Sequence, residues 1–209
     1  YILMVTRKGV IKKSSLADYQ HIRVNGINAI NIDDDDELLD IIKTDGTKEI
    51  LIASHEGMAI RFKETDVRPM GRVARGVRGI NLREGDYVIG VCAVEDDSQK
   101  ILTISEKGFG KRTEVGNYRL INRGGKGVIN MKTTEKTGKV VASFPVEDDS
   151  EIMIITKQAK LIRIGVENVR ETGRSAQGVT LIKTGDDDTV TSASLLDSEA
   201  KEPKTETEE

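Results

Sequence analysis

Asn122-Arg123-Gly124-Gly125-Lys126-Gly127-Val128 is cationic, nearly free of side-chain bulk, and followed by β-forming apolar residues. Its three glycines let a backbone turn with positive φ and come close to a ligand. An arginine and a lysine in such a loop suit phosphate oxygens. The stretch belongs to a series. Gly26-Ile27, Gly76-Val77, Gly127-Val128 and Gly178-Val179 fill the same slot in four successive units, and their glycines lie 50, 51 and 51 residues apart. A period near 50 marks a propeller or solenoid, in which each unit buries its apolar face on the next.

Upstream of the slot, each unit opens with a β-run and a tight turn. The runs are residues 2–6 before Gly9, 50–54 before Gly57, 101–105 before Gly108 and 152–156 before Ala159. A polar residue and glycine between β-runs reads as a hairpin. Ala159 departs from that pattern and predicts a fourth turn of different shape. Four residues past each turn stand Lys13, Arg61, Arg112 and Arg163, basic in every unit. Lys12 and Lys111 precede two of them, Ile60 and Ile162 the others. Four residues before the slot glycine come Ile22, Arg72, Arg123 and Arg174, and the second unit adds Arg75 and Arg78. These cations, with Lys126 and the glycines at 124, 125 and 127, are the candidate contacts to a phosphate backbone. Strand-end charges also guard sheet edges; the recurrence of one phase argues instead for a shared external ligand.

Downstream of the slot, Ile27 and Ile30, Val77 and Ile80, Val128 and Met131, and Val179 and Ile182 predict a third strand in each unit. Runs at 38–42, 87–91, 140–144 and 190–195 predict a fourth. The expected fold is all-β and propeller-like, with four-stranded blades at about 1–48, 49–99, 100–150 and 151–197.

The 209 residues are 37% apolar, enough for a core, with 3% aromatics and no Trp. No apolar run approaches 18 residues, so no membrane-spanning helix is expected. The opening strand pattern without an initiating Met reads as a segment of a longer protein. The single cysteine, Cys92, allows no intrachain disulfide and suits a reducing compartment. The net charge of -3 divides unevenly: residues 186–209 hold nine acids and two lysines, a net of -7, which leaves +4 on the rest. A basic body with an acidic tail suits a nucleic-acid binder whose tail competes for the same surface. Residues 198–209 read as a disordered acidic tail.

Catalysis has little support. His21 and His55 fall in different slots, with no ligand spacing around them. The run Asp33-Asp34-Asp35-Asp36-Glu37 lacks the alternation of a calcium loop. There is no G-x-S-x-G, and Gly124-Gly125-Lys126-Gly127 lacks the spacer and hydroxyl of a Walker loop. The chain reads as a binding module with no metal and no cofactor.

Several strings together resemble the C-terminal DNA-wrapping domain of the bacterial DNA gyrase A subunit. They are Gly57-Met-Ala-Ile-Arg-Phe62, Val67-Arg-Pro-Met-Gly-Arg72, Gly76-Val-Arg-Gly-Ile80, Gly110-Lys-Arg-Thr113, Asn122 through Asn130, and Ser175-Ala-Gln-Gly178. The match covers about residues 1–197. The resemblance implies a β-pinwheel, in which neighbouring blades exchange a strand and duplex DNA bends around a basic rim to support negative supercoiling. It further implies that the chain holds the last four of six blades and lacks the first-blade hallmark box, of which Asn122–Val128 is a degenerate copy. The catalytic tyrosine and the ATPase would lie outside it. Implied partners are DNA, the dimer of gyrase A subunits and the gyrase B subunit, in the bacterial cytoplasm, with the isolated segment monomeric. A topoisomerase IV counterpart would have fewer, more degenerate units. A protein-binding propeller would show recognition aromatics, which are scarce here.

Overall fold

The computed structural model describes residues 1–21 and 23–196. It contains fifteen strands and four short 3-10 turns. Each unit begins with an antiparallel hairpin: β1 (Ile2–Thr6) with β2 (Val10–Ser14), β4 (Glu49–Ser54) with β5 (Met58–Lys63), β8 (Lys100–Ser105) with β9 (Phe109–Glu114), and β12 (Glu151–Thr156) with β13 (Leu161–Gly165). The closing runs are β3 (Leu38–Lys43), β7 (Val88–Val94), β11 (Val140–Val146) and β15 (Val190–Leu196), and each pairs with the first strand of its own unit. The chain is therefore all-β, as expected.

The third strands behave differently. They are only two residues long: β6 (Val77–Arg78), β10 (Val128–Ile129) and β14 (Val179–Thr180). Each crosses to the hairpin of the preceding unit. Val77 sits opposite Ile11, Val128 opposite Ala59, and Val179 opposite Gly110. The sheets are accordingly β3-β1-β2-β6, β7-β4-β5-β10 and β11-β8-β9-β14, each completed from the next unit, while β15-β12-β13 has three strands. In the first unit the expected third strand is absent: residues 26–30 lie outside any strand, and the described residues hold no preceding hairpin to pair with them.

Burial on both faces explains why the first strand of a unit reads as an unbroken apolar run. Along β4, Ile50 and Ile52 pack with Leu3, Val5 and Ile11 of the preceding sheet. Leu51 and Ala53 point the other way, to Ile101, Val115 and Tyr118 of the following sheet. The alternation of a strand delivers successive side chains to opposite faces, so the second and third sheets are each a slice between two cores. Leu102 and Ile104 repeat the pattern against Ile152, Ile154, Val166 and Val169. Cys92 lies in the middle core, where burial pushes its thiol up to about 12. It is an inert packing group.

The fourth turn keeps the shape of the others, contrary to expectation. Ala159 N–H donates to Thr156 O at 3.0 Å, as Gly57 N–H does to Ser54 O and Gly108 N–H to Ser105 O. Ala159 reaches this geometry at φ 61°, the left-handed region that a Cβ disfavours.

Candidate nucleic-acid interface

The rim of the molecule is made at the seams between units. At each seam, three pieces meet: the 3-10 turn after a hairpin, the two-residue donated strand, and the glycine loop of the next unit. Arg123 joins all three. Its Nε donates to Asp66 O at 2.9 Å and its Nη1 to Arg78 O at 3.0 Å. One seam later Arg174 Nη1 donates to Ile129 O at 2.8 Å. Both are half-buried. The equivalent Arg72 follows the unit whose Gly26–Ile27 is not a strand, and its Nε is buried without a partner among the described residues.

The strand-borne cations are not on this rim, which corrects the expectation drawn from their phase. Lys12, Lys13, Arg61, Lys111 and Arg112 are all buried, none more than 9% exposed. They point into the seams and hold them shut. Lys13 Nζ lies 2.8 Å from the buried Glu64 carboxylate and 4.2 Å from the Tyr1 ring centroid. Arg61 donates to Val115 O and Tyr118 O at 3.1 and 3.2 Å and pairs with Glu49 and Asp97 at 2.5 Å. Arg112 donates to Val169 O at 2.6 Å and pairs with Asp148. The chain following each 3-10 turn covers the column: Lys13, Arg61 and Arg112 form single parallel bridges with Pro69, Leu120 and Glu171. A buried cation needs partners to offset desolvation; the next unit supplies the carbonyls and, for Lys13, Glu64, while the acidic turns that close their own units supply Asp97 to Arg61 and Asp148 to Arg112. Arg163 differs; it is exposed on β13 and pairs with Glu151.

Lys12 and Lys111 act as pegs beneath the next glycine loop. Lys12 Nζ donates to Ala29 O at 2.5 Å and also to Arg72 O. Lys111 Nζ donates to Thr113 Oγ1 and Arg174 O at 2.8 Å and to Gly173 O at 3.3 Å. Burial, reinforced by the Arg174 guanidinium, pulls the Lys111 amine down to about 7. Burial also lowers Lys12, with Asp18 opposing.

The loop glycines serve the same packing. Gly127 has φ 75°, and a Cβ there would meet Ala59 O at 2.2 Å. Gly124 N–H donates to Gly79 O at 2.6 Å, and Gly125 O accepts from Asn81 N–H at 2.9 Å. The Gly124 N–H and the Gly125 carbonyl are thus engaged by the neighbouring unit. Only side chains face outward: Lys126, Arg78 and Arg75 are exposed, the last paired with Asp33.

A second basic series, overlooked in the sequence, supplies the free charge. Arg68, Arg119 and Arg170 stand 51 residues apart, just beyond the 3-10 turns at Glu64–Asp66, Val115–Asn117 and Val166–Asn168. All three are exposed, and no guanidinium among them has a hydrogen bond or ion pair among the described residues. The same spacing test that exposed the buried column finds this one. What hid it was Gln20, which breaks the series in the first unit. Arg78 and Lys126 are exposed as well, while Arg119 borders the acidic turn Glu95, Asp96 and Asp97.

The acidic tail, residues 198–209, and Ile22 lie outside the described residues. Among the described residues there is no cluster of His, Cys, Asp and Glu able to hold a metal ion, and no helix long and apolar enough to cross a membrane.

A family model described as the DNA gyrase C-terminal domain, beta-propeller, matches the chain four times, over residues 1–45, 48–94, 99–147 and 150–197. The DNA gyrase A subunit of Staphylococcus aureus (strain NCTC 8325) is 40% identical over 210 residues, covering 100% of this chain and 24% of that protein. The chain thus spans about a quarter of the gyrase polypeptide it matches. A solved gyrase A C-terminal domain superposes with TM-score 0.81 at 30% identity, covering 93% of this chain and 65% of that one. The C-terminal domain of a DNA topoisomerase IV superposes with TM-score 0.88 at 27% identity, covering 94% and 61%.

Proposed function

Because this chain belongs to the DNA gyrase C-terminal domain family, we propose that it binds duplex DNA without regard to sequence and bends it across its seams. The observation that carries this reading is the series of unpartnered Arg68, Arg119 and Arg170, one per seam, with Arg78 and Lys126 exposed as well. Cations spaced by a structural repeat match a polyanion with its own repeat; they position a backbone and do not read base edges. Bending a 20–30 base-pair site by 40–90° costs on the order of 1–6 kcal/mol. Contacts at successive seams, gained only as the duplex follows the curve, offset that cost. In a whole gyrase the module would sit beside the dimer of A subunits and the B subunit in the bacterial cytoplasm and favour negative supercoils, while strand cleavage and ATP hydrolysis belong to other segments. No cofactor is required for binding of this kind.

A salt titration of duplex binding tests the reading. Each neutralised phosphate contributes a slope of about -0.9 to log K against log salt, so roughly six contacts give about -5. Salt-independent binding, or a strong preference for one sequence, overturns it. The topoisomerase IV counterpart is the second reading, favoured by the higher TM-score of that structure; the family match and the 40% identity favour gyrase.

A further inference from the structure

Lys107, Lys136 and Lys183 line one open groove at the seam between the third and fourth units, together with Phe109, Thr180 and Asp186. Three backbone segments deliver the lysines. Lys107 is in the turn between β8 and β9, Lys136 in the loop between β10 and β11, and Lys183 in the chain after β14. Hydrogen bonds fix these segments to one another: Lys107 N–H donates to Thr137 O at 3.0 Å, and Leu181 N–H to Gly108 O at 2.8 Å. None of the three amines has a hydrogen bond or ion pair among the described residues. Lys136 Nζ lies 5.4 Å from the centroid of the half-buried Phe109 ring. The groove holds about 380 Å³, against a water's share of about 30 Å³ in the liquid. Asp186 is the one carboxylate among the residues that line it.

The repeat supplies its own controls. At the second seam Glu56 takes the place of Lys107 and pairs with Lys139, and Met58 takes that of Phe109. At the first, Lys8 pairs with Asp35 and Val10 takes the place of the ring. All three turns close with the same bond, from the N–H of Gly9, Gly57 or Gly108 to the last residue of the preceding strand. The hairpin therefore folds without an unpaired lysine or a ring, and packing does not account for the groove. A cleft lined by one sign of charge gathers ions of the other, and lysine amines are point donors to phosphate oxygens. We propose that the groove is a phosphate site that holds the DNA backbone at the edge of the third seam opposite Arg170. Arg170 O accepts from Arg112 N–H at 3.1 Å in the far half of β9, whereas the groove lies at its start. The six residues of β9 span about 20 Å. The duplex is thus gripped at both ends of one hairpin at this seam. The occupant rests on the DNA-binding reading above; the phosphate chemistry of the groove does not.

Two arms test it on the full chain. In the first, Lys107→Gln, Lys136→Gln and Lys183→Gln are combined. Lys43, Lys63 and Lys157, exposed and away from the groove, are changed to Gln as a charge-matched control. The groove variant is expected to flatten the slope of log K for duplex DNA against log salt by about 2.7, and the control by less than about 0.9. Equal falls in the two variants, or none in the groove variant, overturn the proposal. In the second arm inorganic tripolyphosphate is titrated and backbone amide shifts are read. Thr180 and Lys183 are expected to shift in the unaltered chain and not in the groove variant. Unmoved amides in the unaltered chain overturn the phosphate site. Shifted amides in a chain that binds no duplex leave the phosphate site standing and sink the DNA reading instead.

Discussion

Arg61 and Arg119 share a seam, their chains meet in one parallel bridge, and each belongs to a basic series that recurs with the structural unit. Arg61 is buried, with two carbonyls and two carboxylates around its guanidinium. Arg119 is exposed with no partner among the described residues. The difference teaches that a repeated charge is not evidence of a ligand until its exposure is known. The periodicity of a repeat protein preserves structural pairs as faithfully as binding residues. A residue on a strand between stacked sheets is aimed at a neighbouring sheet, whereas one just past a turn is aimed at water.

The largest expected effect separates the two directly. Arg61→Ala leaves the carbonyls of Val115 and Tyr118 without their donor. It should cost about 2–3 kcal/mol, the scale of hydrogen bonds to charged groups, read as a lowered midpoint in urea with unchanged m-value. A loss below about 0.5 kcal/mol would place Arg61 functionally with Arg119. The converse variant changes Arg68, Arg119 and Arg170 together to Ala. Stability should move by no more than about 0.5 kcal/mol, while the salt dependence of DNA binding flattens by about 2.7 in slope. An unchanged slope would remove this row from the DNA path.

Lys111 sharpens the comparison from the buried side. In the unfolded chain its amine takes a proton below about 10.5, and in the folded chain only below about 7. Between those values the unfolded state holds more protons, so stability rises with pH from 7 toward 10.5. Lys111→Ile, which copies the residue at positions 60 and 162, should abolish that rise, on the order of 2 kcal/mol between pH 7 and 9. Parallel pH profiles for the two chains would contradict a neutral peg. The smallest effect is expected for Lys126→Ala, an exposed side chain in a loop whose backbone is already bonded. The salt slope should fall by about 0.9 with stability unchanged.

Much was legible in the chain by itself. Four units, the hairpins, and the closing strands follow from local patterns, because an apolar run beside a polar-Gly turn has few other solutions. The family strings are local as well. Only the tertiary structure decided where each short third strand goes. Two residues such as Val128 and Ile129 carry no register of their own; their partner is chosen by the preceding hairpin's turn, whose glycine admits them. It also decided which cations are free. Arg112 and Arg170 have the same charge and the same period, and burial separates them because Val169 O of the next unit and Asp148 from the turn closing its own unit receive one, while among the described residues nothing receives the other. Sequence determines local conformation through short-range sterics and periodicity, whereas the use of a charge depends on groups dozens of residues away that only the stacked sheets bring within reach.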